Sequence, residues 1–117
     1  MRILVCGGRD YGEHYEERLN IRRVLNQYAD EEVTIIEGGA RGADTEARIW
    51  AGMFNKPCLH FPAGWKEHGK AAGPIRNQQM LDEGKPDLVI AFPGGRGTAD
   101  MISRAKKAGV KVIEIGQ

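Results

Sequence analysis

The sequence predicts an α/β domain with a mostly parallel five-stranded sheet that carries helices on both faces. Short apolar runs alternate along the chain with segments of helical spacing, which is typical of parallel sheets. The runs are continuously apolar, as expected for strands covered on both sides. Glycine clusters follow three of these runs, at residues 7–8, 38–39 and 94–97.

The first half of the chain contributes three strands and two helices to this prediction. The apolar run Arg2–Cys6 predicts the first strand, because it ends at two glycines. Over Tyr15–Tyr28 apolar residues recur at helical spacing with charged residues between them, which predicts an amphipathic helix. The β-branched run Val33–Ile36 predicts the second strand. A helix over Asp44–Phe54 and a short strand over Cys58–Phe61 follow.

The second half adds two helices and two strands. Residues 62–73 contain glycine, proline and charges of both signs, and they are predicted as a loop. A helix is predicted over Pro74–Glu83, because proline suits the first helical turn. A strand over Asp87–Phe92, a helix over Thr98–Ala108 and a strand over Val110–Ile115 complete the alternation.

Length and composition indicate one domain over residues 1–117. The 17 basic and 16 acidic residues leave a formal net charge of +1, which gives no general attraction for polyanions. No apolar run reaches membrane-spanning length, and the N-terminal run is too short for a signal peptide, so we expect a cytoplasmic protein without membrane contact. The histidines do not have metal-ligand spacing with cysteine or acidic residues, and neither a metal nor a cofactor is predicted.

The three glycine clusters carry the functional prediction. Loops after the carboxyl ends of parallel strands meet at one rim of the sheet, where ligands bind. Glycines let the backbone approach a ligand closely, and the helix after them directs its first N–H groups at an anion such as phosphate. One such loop alone is equally well a tight turn without a ligand, whereas three at one rim favour a phosphate- or nucleotide-like ligand. The ligand-binding residues predicted in these loops are Gly7, Gly8, Arg9, Gly38, Gly39, Arg41, Gly42, Asp44, Gly94, Gly95, Arg96, Gly97 and Thr98.

The segment after the third strand holds further polar candidates. Trp65 either stacks on a base or caps the core, and the basic residues around it favour the base. Lys70 either meets a phosphate or is solvated. Arg76 is predicted in the first turn of its helix, where the helix dipole disfavours a cation. It therefore calls for an anionic ligand or a buried carboxylate such as Asp44 or Asp100.

Four segments together resemble the YspA-type, cpYpsA-related branch of the SLOG superfamily. They are Gly7–Asp10, Gly38–Asp44, Trp65–Met80 and Ala91–Asp100, and they span nearly the whole chain. The resemblance implies a Rossmann-like three-layer α/β/α sandwich with strand order 3-2-1-4-5. It also implies a homo-oligomer that binds a nucleotide or a nucleotide-derived ligand at the glycine rim, with Trp65, Lys70 and Asn77 among the ligand-binding residues.

Similarity to the Lonely-guy phosphoribohydrolases of this superfamily implies catalytic roles for Arg76 and for a carboxylate after the glycine loop. Their glutamate corresponds here to Met101, and Asp100 lies one position earlier. A carboxylate that stabilises an oxocarbenium-like centre needs close placement. Two functions therefore stay open: hydrolysis of an N-glycosidic bond with Arg76 and Asp100 as catalytic residues, or binding by a non-catalytic sensor.

A third reading comes from similarity to DNA-processing protein A. The segments that carry it are Gly38–Asp44 and Arg76–Asn77. A site for single-stranded DNA usually combines a basic groove with stacking aromatic rings. The near-neutral charge and the aromatic content of 7% therefore argue against nucleic acid as the partner.

Overall fold

The computed structural model describes residues 1–116, which form one five-stranded parallel sheet between two helical layers. The strands are Arg2–Cys6 (β1), Thr34–Glu37 (β2), Cys58–His60 (β3), Leu88–Ala91 (β4) and Lys111–Glu114 (β5). The helices are Tyr15–Asn26 (α1), Ala43–Met53 (α2), Trp65–His68 (α3), Ala72–Gln79 (α4) and Arg96–Lys107 (α5), with a 3-10 turn over Gly69–Ala71 and a π-turn over Met80–Gly84. The strand order is β3-β2-β1-β4-β5 and every neighbouring pair is parallel, which confirms the predicted fold class and order.

Alternation of side chains along the strands divides the core into two layers. Ile3 and Val5 of β1 pack on the side of α1 and α2, where Trp50 is fully buried. Leu4 lies on the opposite side with Met101 of α5. Because both sides of β1 are covered, the strand reads as a continuous apolar run, as a central parallel strand should.

The predicted loop over residues 62–73 is wrong, because most of it is helical. The carbonyl oxygen of Gly64 accepts the two amide hydrogen bonds that begin α3, and Gly69, with φ +55, ends that single turn. Helix α4 then begins at Ala72, two residues before the predicted start. Arg76 lies beyond the first turn of α4, whose helical run continues through the π-turn Met80–Gly84, so the predicted cost of a cation in the first turn does not apply.

The remaining elements agree with their predicted bounds to within two residues at either end, as is usual for helix and strand termini. Among residues 1–116, no helix combines the length and the apolar character needed to cross a bilayer.

Candidate functional site

The three glycine loops meet at the carboxyl ends of β1, β2 and β4. The Gly8 N–H donates to the carbonyl oxygen of Pro93 (2.9 Å), which joins the first loop to the third. Gly42 of the second loop lies so close to the first that an added Cβ would be 2.5 Å from the Gly8 carbonyl oxygen. Between the loops lies a cavity of about 310 Å³, the glycine-rim cavity. Its walls are Cys6, Gly7, Gly8, Arg9, Ala40, Asp44, Trp65, Gly73, Arg76, Asn77, Met80, Gly95, Gly97 and Thr98.

The N-terminus of α5 forms one wall of this cavity. No side chain caps this end, and the amides of Arg96, Gly97 and Thr98 have no hydrogen-bond partner within residues 1–116. The Asn77 side-chain amide donates to the Gly97 carbonyl oxygen (3.1 Å) and ties the turn to α4. First-turn N–H groups carry a partial positive charge, so this wall suits an anion.

The second glycine loop differs, because carboxylates of the protein already occupy its amides. Asp44 Oδ2 accepts hydrogen bonds from the amides of Gly38 (3.0 Å) and Ala40 (3.4 Å). Glu37 Oε1 accepts from the amide of Gly39 (2.7 Å). These two carboxylates take the place that an external anion would occupy, so the geometry gives the Gly38 and Gly39 amides no part in ligand binding.

Arg76 lies between the second loop and the cavity. Its Nη1 donates to the Gly38 carbonyl oxygen (2.5 Å) and its Nε to Asn77 Oδ1 (3.1 Å). A Cβ on Gly38 would overlap this guanidinium, which explains the need for glycine there. Within residues 1–116 Arg76 forms no ion pair with the expected partners Asp44 and Asp100. Asn77 lies between Arg76 and Asp100, whereas Arg76 is close enough to Asp44 for its charge to lower the pKa of that carboxyl.

Asp100 lies outside the glycine-rim cavity, although it was expected to be its catalytic carboxylate. Its Oδ2 accepts hydrogen bonds from Arg104 Nε (2.8 Å) and Asn77 Nδ2 (3.0 Å). Met101 is fully buried in the core, because successive residues of α5 point in different directions. Neither position presents a carboxylate to the cavity, and among the lining residues the acid is Asp44.

Asp44 is a buried carboxyl beside the predicted anion site. Burial raises the pKa of Asp44 from 3.8 to about 6. The Ala40 amide, the Arg76 guanidinium and the Gly38 amide oppose that rise in pKa, whereas Glu37 adds to it. The carboxyl is therefore charged at neutral pH and gains a proton in mildly acidic solution.

This pKa predicts how stability depends on pH. Because the folded chain holds the Asp44 proton more tightly than the unfolded chain, the contribution of Asp44 to the free energy of unfolding falls as pH rises from about 4 to about 6. Asp44→Asn keeps an acceptor for both loop amides but cannot ionise. We expect the variant to be more stable than the wild type above pH 6, by on the order of 2–3 kcal/mol, and equally stable near pH 4. Urea unfolding across this pH range measures the difference, and a difference that does not change with pH would contradict the prediction.

Trp65 and Arg9 form the outer wall of the cavity. Trp65 is 49% exposed, so the alternative in which it caps the core is wrong. The Arg9 guanidinium lies over the indole, with Cζ 5.4 Å from the ring centroid. One face of the indole is thus covered by a cation, and stacking of Trp65 on a base stays a prediction.

Four of the predicted ligand-binding residues line neither the glycine-rim cavity nor the second cavity beside it. Gly42 is the N-cap of α2. Gly94 lies against Thr98, whose hydroxyl an added Cβ would overlap. Lys70 and Arg96 are exposed. The geometry therefore supports structural roles for the two glycines and brings neither cation to the cavity.

A second cavity, of about 540 Å³, accounts for the other predicted residues of the second loop. We call it the arginine cavity. It is lined by Arg9, Gly38, Gly39, Ala40, Arg41, Pro62, Ala63, Trp65 and Arg76.

Sequence reasoning overlooked Glu37, which ends β2 with no exposed surface. Its Oε2 lies 2.5 Å from His60 Nδ1, and the Cys58 thiol donates to the same oxygen (3.8 Å). The sequence did contain a signal for Glu37, because a carboxylate that ends an apolar strand directly before two glycines needs hydrogen-bond donors nearby.

Cys6 lines the glycine-rim cavity, and burial raises the pKa of its thiol to about 12, so the thiol stays protonated.

Comparisons with known proteins agree with the fold described above. The family model described as the YspA, cpYpsA-related SLOG family matches residues 1–68. The gene 61 protein of Mycobacterium phage D29 is 40% identical, over 98% of this chain and 96% of the phage protein. The X-ray structure of TM1055 has a TM-score of 0.75 at 16% identity, over 95% of this chain and 71% of that one. The Moco carrier protein of Chlamydomonas reinhardtii has a TM-score of 0.70 at 18% identity, over 97% of this chain and 74% of that one. At these identities the two structures show a shared fold.

Proposed function

Because the chain belongs to the YspA, cpYpsA-related SLOG family, we propose that it binds a nucleotide or a nucleotide-derived ligand in the glycine-rim cavity. The uncapped N-terminus of α5 carries the proposal. The amides of Gly97 and Thr98 have no protein partner within residues 1–116, and both residues line the cavity. An anionic phosphate satisfies such amides and the helix dipole together.

The cavity offers separate groups for the rest of a nucleotide. Arg76 supplies a fixed positive charge opposite α5. Asp44 uses Oδ2 for both loop amides, and its Oδ1 has no hydrogen-bond partner within residues 1–116. That free acceptor suits a ligand hydroxyl group, which a ribose provides and inorganic phosphate at neutral pH provides poorly. Trp65 at the mouth of the cavity suits the base or the sugar.

We propose binding rather than hydrolysis as the function. The carboxylate expected to act on an N-glycosidic bond, Asp100, is held by Arg104 and Asn77 away from the cavity. Asp44 lines the cavity, but two backbone amides and a buried position hold it in a loop-supporting role. The Moco carrier protein, by its name, carries Moco on a similar fold, which supports a non-catalytic use of this architecture.

Native mass spectrometry of freshly purified protein and calorimetry with adenosine 5′-monophosphate (AMP) test the proposal. We expect a co-purifying mass with a phosphate-bearing fragment, and saturable binding of AMP without release of adenine. Absence of both a bound mass and AMP binding would contradict the binding proposal, whereas release of adenine would show hydrolysis. Self-association, which the family resemblance implies, stays a prediction that light scattering measures.

A single backbone amide provides a sharper test. Gly97→Pro removes the N–H at a first-turn position, where proline is tolerated because that N–H has no intrahelical partner. Gly97→Ala keeps the N–H, and its Cβ meets no atom within 4 Å. We expect Gly97→Pro to weaken AMP binding about tenfold and Gly97→Ala to change it less than about threefold. Equal affinities of the two variants would show that this amide does not hold the phosphate.

A further inference from the structure

The arginine cavity and the glycine-rim cavity adjoin. Arg9, Ala40, Trp65 and Arg76 are walls of both. The guanidinium of Arg76 is anchored between them by the Gly38 carbonyl oxygen and by Asn77. The two volumes, about 310 and 540 Å³, lie within the range of small-molecule sites, about 300–1,000 Å³. A ligand that enters one cavity therefore meets the walls of the other.

The arginine cavity is positively charged. Arg9, Arg41 and Arg76 line it, and none of its lining residues is acidic. Asp10 lies 3.5 Å from Arg41, but the two side chains are 80% and 76% exposed, so water screens that pair. Three guanidinium groups around one space repel each other, and an anion between them relieves that repulsion.

The kind of anion that the arginine cavity would bind depends on which hydrogen-bond donors of its walls are not already bound to protein groups. The amides of Gly38, Gly39 and Ala40 are bound to the buried carboxylates of Asp44 and Glu37. The backbone of Gly38, Gly39 and Ala40 therefore offers no free N–H there, and the arginine side chains are the charged donors. Guanidinium groups present paired N–H groups that match the oxygens of a phosphate.

We propose that the arginine cavity holds a second phosphate group of the same ligand, so that the preferred ligand carries two phosphates rather than one. The inference rests on the proposed function, because the first phosphate is the one at the N-terminus of α5. Arg76 borders both phosphates, Arg41 contacts the second one alone, and the Trp65–Arg9 wall lies between the two.

Calorimetry at low ionic strength tests this assignment with three probes: AMP, adenosine diphosphate and adenosine 3′,5′-bisphosphate. Arg41→Gln removes a charge that lines the arginine cavity only. Arg48→Gln is the matched control, because Arg48 is an exposed arginine of α2 that lines neither cavity. We expect at least one two-phosphate probe to bind the wild type about tenfold more tightly than AMP. Arg41→Gln abolishes this gain and leaves AMP binding within about threefold, and Arg48→Gln behaves as the wild type.

Two outcomes would overturn the assignment and leave the proposed function intact. One is equal affinity for AMP and both two-phosphate probes. The other is a gain that survives Arg41→Gln. Failure of all three probes to bind would overturn the assignment, and together with the absence of a co-purifying mass it would overturn the proposed function as well. Urea unfolding of both variants checks that the exposed substitutions leave the fold unchanged, which the exposure of Arg41 and Arg48 predicts.

Discussion

Gly42→Ala is expected to lower the free energy of unfolding by about 3 kcal/mol. Gly42 begins α2 with φ +80 and ψ −128, a conformation that side chains rarely adopt. An added Cβ would also lie 2.5 Å from the carbonyl oxygens of Gly8 and Tyr11. The Gly8 N–H also donates to the Pro93 carbonyl oxygen of the third loop, so a shift of Gly8 away from the new Cβ strains that hydrogen bond. Urea unfolding at neutral pH measures the loss.

Gly52→Ala is the matched control for this substitution. Gly52 lies in the last turn of the same helix, and a Cβ there meets no atom within 4 Å. Alanine in a helix is favoured over glycine by roughly 0.5–1 kcal/mol, so this variant should be slightly more stable than the wild type. Similar free energies of unfolding for the two variants would rule out the strain assigned to Gly42.

Arg76→Gln is expected to weaken AMP binding by about 100-fold at neutral pH. The glutamine amide nitrogen corresponds to Arg76 Nε, so it can still donate to Asn77 Oδ1 but falls short of the Gly38 carbonyl oxygen. The loss therefore measures the removed charge together with that hydrogen bond. Removal of the guanidinium leaves Asp44 as an uncompensated negative charge beside the phosphate. It also raises the pKa of Asp44 further, because Arg76 is one of the groups that lower this pKa. Calorimetry gives the affinity, and an NMR titration of Asp44 gives the pKa.

Arg104→Gln is the control for this experiment. It removes an equal charge from α5, but Arg104 pairs with Asp100 outside the glycine-rim cavity. We expect its AMP affinity to stay within about threefold of the wild type. Arg76→Lys keeps the charge without the planar fork, and we expect an affinity between those of the wild type and Arg76→Gln. A comparable loss in Arg76→Gln and Arg104→Gln would mean that net charge, not the position of Arg76, governs binding.

The strands and the glycine loops could be predicted because they depend on local pattern, whereas the strand order came from the family resemblance. Continuous apolar runs such as Leu88–Ala91 specify strands covered on both faces, and glycines after them specify tight turns. The helical turn at Trp65–His68 could not, because four residues carry too little periodicity to distinguish a turn of helix from a loop. The same error placed Arg76 in the first turn of the predicted helix, whereas α4 begins at Ala72 and Arg76 lies beyond its first turn.

The sequence by itself determined that this chain folds as a parallel sheet and that its glycine loops share one rim, since strand direction and loop position follow from chain order. Only the tertiary structure decided which loop keeps free amides. Residues distant along the chain compete for those donors: Asp44 and Glu37 occupy the second loop, whereas within residues 1–116 no side chain accepts a hydrogen bond from the first amides of α5. The same packing turned Asp100 toward Arg104 and left Asp44 facing the cavity. Hydrogen bonds and burial between distant residues are set by three-dimensional proximity, and no local pattern in the sequence records them.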